Sequence, residues 1–492
     1  MLASAALLAQ LGLRWPWPLV LLVVAAVVAA IDPWALLQPG FWLSFAAVGL
    51  LIAATPGEDE APRGHALWRA VRSGLRTQAV ATVGLAPLTL VFFQQGSLIG
   101  FVANLVAIPL ITFVITPLAL AGALAPPLWT LAAACVKGLT TLLQHLAALP
   151  AAVWTAAAAP WWMQAAALLG AALLVMRLPL RVRALALPLM LPLFAPPLER
   201  PAEGAMQVTV ADVGQGSAIL VRTRTHALLH DAGAQYTPDS DAGSRVLVPL
   251  LRAFGVQRLD LLMLSHRDSD HVGGAAAVIS AFDVTALSSS IEASHPLRAR
   301  ATPHKRCEAG QSWQWDGVRF DVLHPQAEDY ARTEAKPNTM SCVLAVTDAQ
   351  GRRVLLTGDL EAEQEARLVR EQPAALKSDV LLVPHHGSKT SSSPAFLDAV
   401  APRVALVQAG YRNRYGHPAP AVAARYAERR IVFINTVGCG AWSADADRIG
   451  EDRIGICERQ RSRRYWHHGL EVAPIGADNT LTETASWPST LR

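Results

Sequence analysis

Charge is what this sequence has least of. Only 16% of its 492 residues are Asp, Glu, Lys or Arg, against roughly 25% in an ordinary soluble chain. The shortage is local. Between Thr77 and Met176 the single formally charged side chain is Lys137, which excludes a soluble globular domain there and fits a bilayer. Cysteine is sparse too. Cys135, Cys307, Cys342, Cys439 and Cys457 form no CxxC and no paired spacing, so spacing alone gives neither a zinc ribbon nor a disulfide framework. No GxxxxGK[ST] run exists, so the chain does not itself burn nucleotide. The N-terminus has no basic stretch ahead of its apolar residues and does not read as a signal peptide. The net charge of +4 is too small to argue nucleic-acid binding by itself.

The chain reads as a membrane half followed by a soluble half. Apolar segments fall at 19–31, 32–54, 77–94, 97–124, 127–150, 161–176 and 184–198, and Pro109, Pro117, Pro188 and Pro192 lie inside them. Proline at membrane depth is tolerated where neighbours or water satisfy the freed carbonyls, as in transporters. So many segments favour a transport role over a plain anchor. Arg177, Arg181 and Arg183 precede the last segment. The positive-inside rule puts that link in the cytoplasm, and one more crossing puts the soluble half outside it. Charges return from Glu199, with 199–205 as a polar linker.

The soluble half is organised around LSHRDSDHVGG at 264–274. The preceding RLDLLML is a short apolar run, read as a buried strand. It delivers His266, Asp268, Asp270 and His271 onto one strand-end loop, and Gly273 and Gly274 are expected to turn the backbone tightly into an Ala-rich helix. Imidazole suits zinc, manganese or iron, and carboxylates favour harder ions. Three later strands end in the same kind of chemistry. ALLHDAG ends in Asp231, RRVLLTGDLE ends in Asp359, and SDVLLVPHHGSKTSS ends in His385 and His386, followed by Ser388 and Lys389. His386 is the preferred ligand of the pair. Ser388 and Lys389 can offer hydroxyl, N–H and ammonium groups to a phosphate. Asp212 sits in the turn of ADVGQGS, as a turn-forming residue or a second layer around the site. The segment 457–492 is basic, with an aromatic pair near its start, and reads as a flexible tail with nucleic-acid-binding composition.

The spacing His266-x-Asp268-x-Asp270-His271 resembles the signature loop of the metallo-β-lactamase fold, His-x-His-x-Asp-His, with Asp268 in place of the second His. QPGFWLSFAAVGLLI (38–52), the pattern Ser97, Gly100, Asn104, Pro109, and the later YRNRYGHP and INTVGCGAW together resemble the ComEC-type DNA-uptake proteins of natural competence. That resemblance implies a polytopic helical membrane domain at 1–198 and an αβ/βα metallo-β-lactamase-like domain at 206–456. Family members carry more helices and an OB-like domain ahead of this point, so the chain is expected to be N-terminally truncated. Asp359 is then expected to bridge one or two divalent ions, manganese or zinc, held with His266, Asp268, Asp270, His271, His386 and His385. Asp231 and Asp212 back these ligands. Asn338 occupies the place of a usual His and, with Ser388, Lys389, Asn413 and His417, faces substrate. Asp270, His271 and Asp359 carry the chemistry, that of a metal-dependent phosphodiesterase or deoxyribonuclease.

The implied role is a multi-pass protein of the bacterial inner membrane. It passes single-stranded DNA inward and degrades the other strand outside the cytoplasm. Its partners are DNA, membrane lipid, a DNA receptor and a cytoplasmic helicase or ATPase, and a homodimer is left open. Two alternatives stand beside it. One is a DNA channel whose metallo-β-lactamase-like domain binds DNA without cutting it. The other is a membrane-tethered hydrolase of a small substrate.

Overall fold

The computed structural model describes residues 15–54, 66–97, 99–149, 152–176, 178–300, 303–332, 336–445, 449–450, 453–464 and 467. Arg177, the charged loop at 55–65 and all of the tail past residue 464 except residue 467 lie outside the described residues. The chain divides into two units, Met1–Glu199 with Pro249–Val256, and Arg200–Val248 with Gln257–Arg492.

The first unit is helical: α1 (Trp17–Ile31), α2 (Pro39–Ala54), α3 (Ala66–Phe93), α4 (Gly100–Ala121), α5 (Pro127–Ala147), α6 (Trp161–Val175) and α7 (Ala186–Phe194). Spanning a hydrocarbon core takes about 20 apolar residues. Two helices among the described residues are long and apolar enough, Val71–Phe93 within α3, and α4. The apolar helices α1, α2 and α6 are shorter. Expected segment 77–94 starts too late, because the amphipathic stretch before it continues into the same helix α3. Helix α4 runs past Pro109 and Pro117 through a π turn at Ile111–Ile115; a wide turn there accommodates backbone that proline leaves without a donor.

The second unit is built on two mixed sheets. The first contains β1 (Gln207–Val210), β2 (Ile219–Arg222), β3 (Ala227–His230), β4 (Leu261–Leu264), β5 (Leu287–Ser289) and β6 (His304–Arg306). The second contains β7 (Ser312–Trp315), β8 (Val318–His324), β9 (Val343–Thr347), β10 (Arg353–Leu356), β11 (Val380–Leu382), β12 (Val404–Val407) and β13 (Val432–Asn435) in chain order. Strands β14 (Trp442–Asp445) and β15 (Ile456–Cys457) complete the first sheet, whose order is β6-β5-β4-β3-β2-β1-β14-β15. Within them β3-β4-β5-β6 and β10-β11-β12-β13 are parallel.

Period-two alternation explains the layers. Leu344 and Val346 of β9 join Val208, Val210 and Leu228 of the first sheet in one core. Their neighbours Val343 and Ala345 pack outward with Leu368, Phe396 and Val422. Those three lie on α8 (Ala362–Glu371), α9 (Pro394–Val400) and α10 (Pro420–Glu428), which cover that face. Strands β2, β3 and β4 are buried at every position, so both faces of the first sheet are covered as well. This is the reason these strands read as unbroken apolar runs.

Two disulfides, Cys307–Cys342 and Cys439–Cys457, join cysteines 35 and 18 residues apart. This corrects the expectation drawn from cysteine spacing, because strand pairing brings together cysteines that are distant in the chain. The start of the expected tail is docked too. Cys457 pairs with Trp442 on β14 and bonds Cys439, and Arg459 forms an ion pair with Asp212 at 2.7 Å.

Candidate metal centre

The clustered His and Asp side chains of the second unit come from the carboxyl ends of strands, where parallel sheets open a crevice. Strand β4 leads through Ser265 to His266, and a four-residue turn, Ser269–Val272, carries Asp270 and His271. Strand β10 leads to Asp359. Strand β11 leads into a tight turn at Pro384–Gly387 in which His385 (φ 50°) and His386 (φ 53°) are both left-handed. Two successive non-glycine residues there cost about 1–3 kcal/mol each, and the conformation directs both rings at the centre.

Gly273 and Gly274 keep ordinary negative φ, so the expected reason for them, freedom to turn, is corrected. They are needed for close approach. A Cβ on Gly273 would lie 2.1 Å from the Gln235 amide nitrogen, and one on Gly274 2.3 Å from Ala232 O.

Asp270, His271, Asp359 and His386 place one donor atom each within 4.8 Å of one another. Asp359 stands between two groups. Its Oδ1 lies 3.0 Å from His271 Nε2 and 3.5 Å from His386 Nε2; its Oδ2 lies 3.6 Å from His385 Nε2 and 4.0 Å from His266 Nε2. Asp270 Oδ2 is 3.2 Å from His386 Nε2, and Asp268 Oδ2 is 3.6 Å from His266 Nε2. Asp268 is 42% exposed, at the rim.

The outer nitrogens of these rings are already used. His271 Nδ1 donates to Asp231 Oδ2 at 2.7 Å and His386 Nδ1 donates to Gln408 O at 2.8 Å. His266 Nδ1 meets Ser265 Oγ at 3.0 Å. Fixing Nδ1 as donor leaves the Nε2 lone pair facing inward. Buried His266 Nε2, His271 Nε2, His386 Nε2 and Asp359 Oδ1 complete no aligned hydrogen bond, although several stand close together. Buried lone pairs facing one another unpaired are costly unless a cation satisfies them, so the residues fit a divalent metal.

The electrostatics agree. Burial alone would make His271 neutral, but Asp359 and Asp231 outweigh it and hold the imidazole well above its usual range. Burial is likewise outweighed at His386, raised by Asp359 and Asp270. Burial would raise Asp359, yet the His271 and His386 charges hold it well below the usual carboxylate range. Asp270 is held at about 2, the His386 ring 3.2 Å from its Oδ2 and the His271 charge overcoming burial. Both carboxylates stay ionised and both rings favour a positive charge on the nitrogen that faces them, the place a divalent cation would take.

The remaining expected residues fall as follows. Asp231 is buried, taking Ser265 N at 2.7 Å and Ser265 Oγ at 2.8 Å besides His271. Asp212 faces Arg459 and not the cluster; burial raises its pKa against that guanidinium. The loop after Asp212 matters instead through its backbone, since Ser217 N donates to Asp270 O at 3.0 Å. Asn338 Nδ2 lies 3.3 Å from His385 Nε2. Asn413 braces its own loop, with Nδ2 donating to His417 O at 2.6 Å and Oδ1 accepting from His417 N at 2.9 Å. His417 ring stacks 6.5 Å from that of His386. Ser388 is buried against Thr390, and Lys389 is exposed beside it. Sequence reasoning missed Ser265, Gln408, Ser341, which accepts from Asp359 N at 3.1 Å, and Glu361, 3.7 Å from His385 Nδ1. Position after a strand end is a signal for Ser265, Gln408 and Glu361; nothing in sequence marks Ser341.

Residues 1–181 match the family model "Competence protein", and residues 211–411 match "Metallo-beta-lactamase superfamily". Competence protein ComA of Neisseria gonorrhoeae is 37% identical over 89% of this chain and 59% of its own length. ComE operon protein 3 of Bacillus subtilis (strain 168) is 28% identical over 80% of this chain and 53% of its own length. The chain thus spans less than two thirds of either relative. A solved metallo-beta-lactamase fold protein, YhfI from Bacillus subtilis, is 15% identical, covering 49% of this chain and 99% of that one with a TM-score of 0.32.

Proposed function

Taking as premise that this chain joins a competence-protein domain to a metallo-β-lactamase superfamily domain and is a homologue of ComA and ComEC-type proteins, we propose that it serves DNA uptake across the bacterial inner membrane as a multi-pass protein, and that its metal domain cuts the strand left outside. The observation that carries the nuclease reading is Asp359, with one carboxylate oxygen toward His271 and His386 and the other toward His385 and His266. A carboxylate so placed would be shared if two ions were bound. Asp270, His271 and His386 would hold one; His266, Asp268 and His385 would hold the other. When bound, manganese or zinc ions supply a water deprotonated near neutral pH and positive charge for a phosphodiester. Asp270, ionised across the physiological range, would help to hold the ion and orient that water from Oδ2. Lys389, exposed three residues after His386, would meet the phosphate, and Thr390 Oγ1, 3.1 Å from His385 Nδ1, keeps that ring in place.

The helices α3 and α4 support membrane crossing, and the two disulfides support a metal domain outside the reducing cytoplasm. The strand path, the DNA receptor and the helicase or ATPase partner belong to the same reading. A second reading, a DNA-binding domain that does not cut, is favoured by rim-exposed Asp268 and by Asn338, which together leave the Oδ2 side with fewer buried imidazoles.

The experiment uses the full chain in lipid nanodiscs with single- and double-stranded DNA in manganese, zinc or EDTA, beside Asp359→Asn. Metal-dependent cleavage lost in the variant supports the nuclease. DNA binding without cleavage under any metal supports the second reading. Neither leaves a small-substrate hydrolase.

A further inference from the structure

The loop after β12 carries Tyr411, Arg412, Arg414 and Tyr415 in the sequence YRNRY. Tyr411 is 55% and Tyr415 54% exposed. Each has a guanidinium over its ring, Arg412 at 5.2 Å from the Tyr411 centroid and Arg414 at 4.9 Å from that of Tyr415. Arg414 Nη2 also donates to the Tyr415 hydroxyl at 2.7 Å, which joins cation and ring into one surface. The rings continue inward. Tyr415 stacks on His417 with centroids 5.6 Å apart at 24°, and His417 faces His386 at 6.5 Å, again at 24°. A file of near-parallel rings therefore runs from solvent to the metal cluster. The loop is held rigid by Asn413 and by Ala419 N donating to Gly387 O at 2.8 Å.

Half-exposed tyrosine–arginine pairs next to a reactive centre, on a braced loop, are built to receive a flat partner. Bases stack on phenol rings and on guanidinium planes alike, and a nearby Arg reaches the phosphate. Bases in a duplex have no free face to offer. We propose that Tyr415 with Arg414 is a nucleobase platform flanking the scissile phosphate, so that the strand cut at this centre is unpaired. The proposal rests on the nuclease reading above and adds to it the form of the substrate.

The test keeps the two readings apart. The full chain in nanodiscs, in EDTA, is irradiated with a single-stranded oligonucleotide carrying 5-iodouracil, and the cross-linked peptide is identified. A cross-link in residues 410–418, lost in Tyr415→Ala and kept in Tyr415→Phe, supports the platform. Cross-links confined to other segments overturn it. With manganese, Tyr415→Ala is expected to raise KM for single strands on the order of tenfold. It should add nothing further on a strand made abasic at the stacked position. Equal KM on both strands for the variant and the unchanged chain overturns the platform. Absence of cleavage by the unchanged chain overturns the nuclease reading, while the cross-link still decides the platform.

Discussion

Asp231 and His271 form a buried pair, with His271 Nδ1 donating to Asp231 Oδ2 at 2.7 Å. This contact decides which face of the imidazole the metal centre receives. It also ties two strand ends together, since Asp231 follows β3 and takes both N–H and O–H of Ser265 after β4. Asp231 itself sits at φ 57°, a left-handed position that Asp tolerates better than most side chains.

Asp231→Asn keeps the shape and removes the charge. An amide nitrogen turned toward His271 releases the ring from its tautomer. Affinity for zinc or manganese is expected to fall about 10- to 100-fold, read by competition with a chelator. Unchanged affinity would make Asp231 a fold residue only.

Gly273→Ala puts a Cβ 2.1 Å from the Gln235 amide nitrogen and 2.4 Å from Ser269 O. Backbone atoms must yield, so the expected cost is about 1–3 kcal/mol or more, seen as a lower melting temperature together with lost metal. A variant as stable as the parent would show that the turn at 269–272 shifts freely.

Alkylating the denatured, unreduced chain is expected to modify Cys135 alone, the other four sulfurs being paired. Mass spectrometry counts the labels. Cys457→Ser should destabilise the second unit by about 2–4 kcal/mol and loosen residues 456–461 to protease. Five labelled thiols would remove the disulfides and, with them, the support for placement outside the cytoplasm.

Asp316 gives a pH signature. Burial would raise its pKa, but hydrogen bonds from Thr223, the Thr225 amide, His226 and the Thr225 hydroxyl outweigh it and hold the carboxyl well below the usual range. A carboxylate depressed in the folded state adds stability above its unfolded pKa of about 3.8, and loses it as pH falls toward the folded value. The melting-temperature gap between the parent and Asp316→Asn is therefore expected to be full at pH 7 and to shrink below pH ~4. A gap that stays constant to pH 2 would assign the effect to packing.

The strands that carry the site were legible because each is an unbroken apolar run ending in Asp or His. Alternation then hides nothing when both faces are buried. Asp231, His271, Asp359 and His386 came from that pattern together with family resemblance. Contacts made through the backbone were not legible. Gln408 reaches His386 by its carbonyl, and Ser217 reaches Asp270 by its N–H; neither uses the side chain that a sequence displays. Cys307 and Cys342 are 35 residues apart and meet only after the sheets pair. The apolar segment at 77–94 marks only part of helix α3, because the charged turns ahead of it belong to the same helix.

The Cys307–Cys342 bond closes the segment that presents Ser341 to Asp359 and Asn338 to His385. In the reading proposed here, oxidation follows export. The loop carrying Ser341 and Asn338 would then be braced by that bond only on the far side of the membrane.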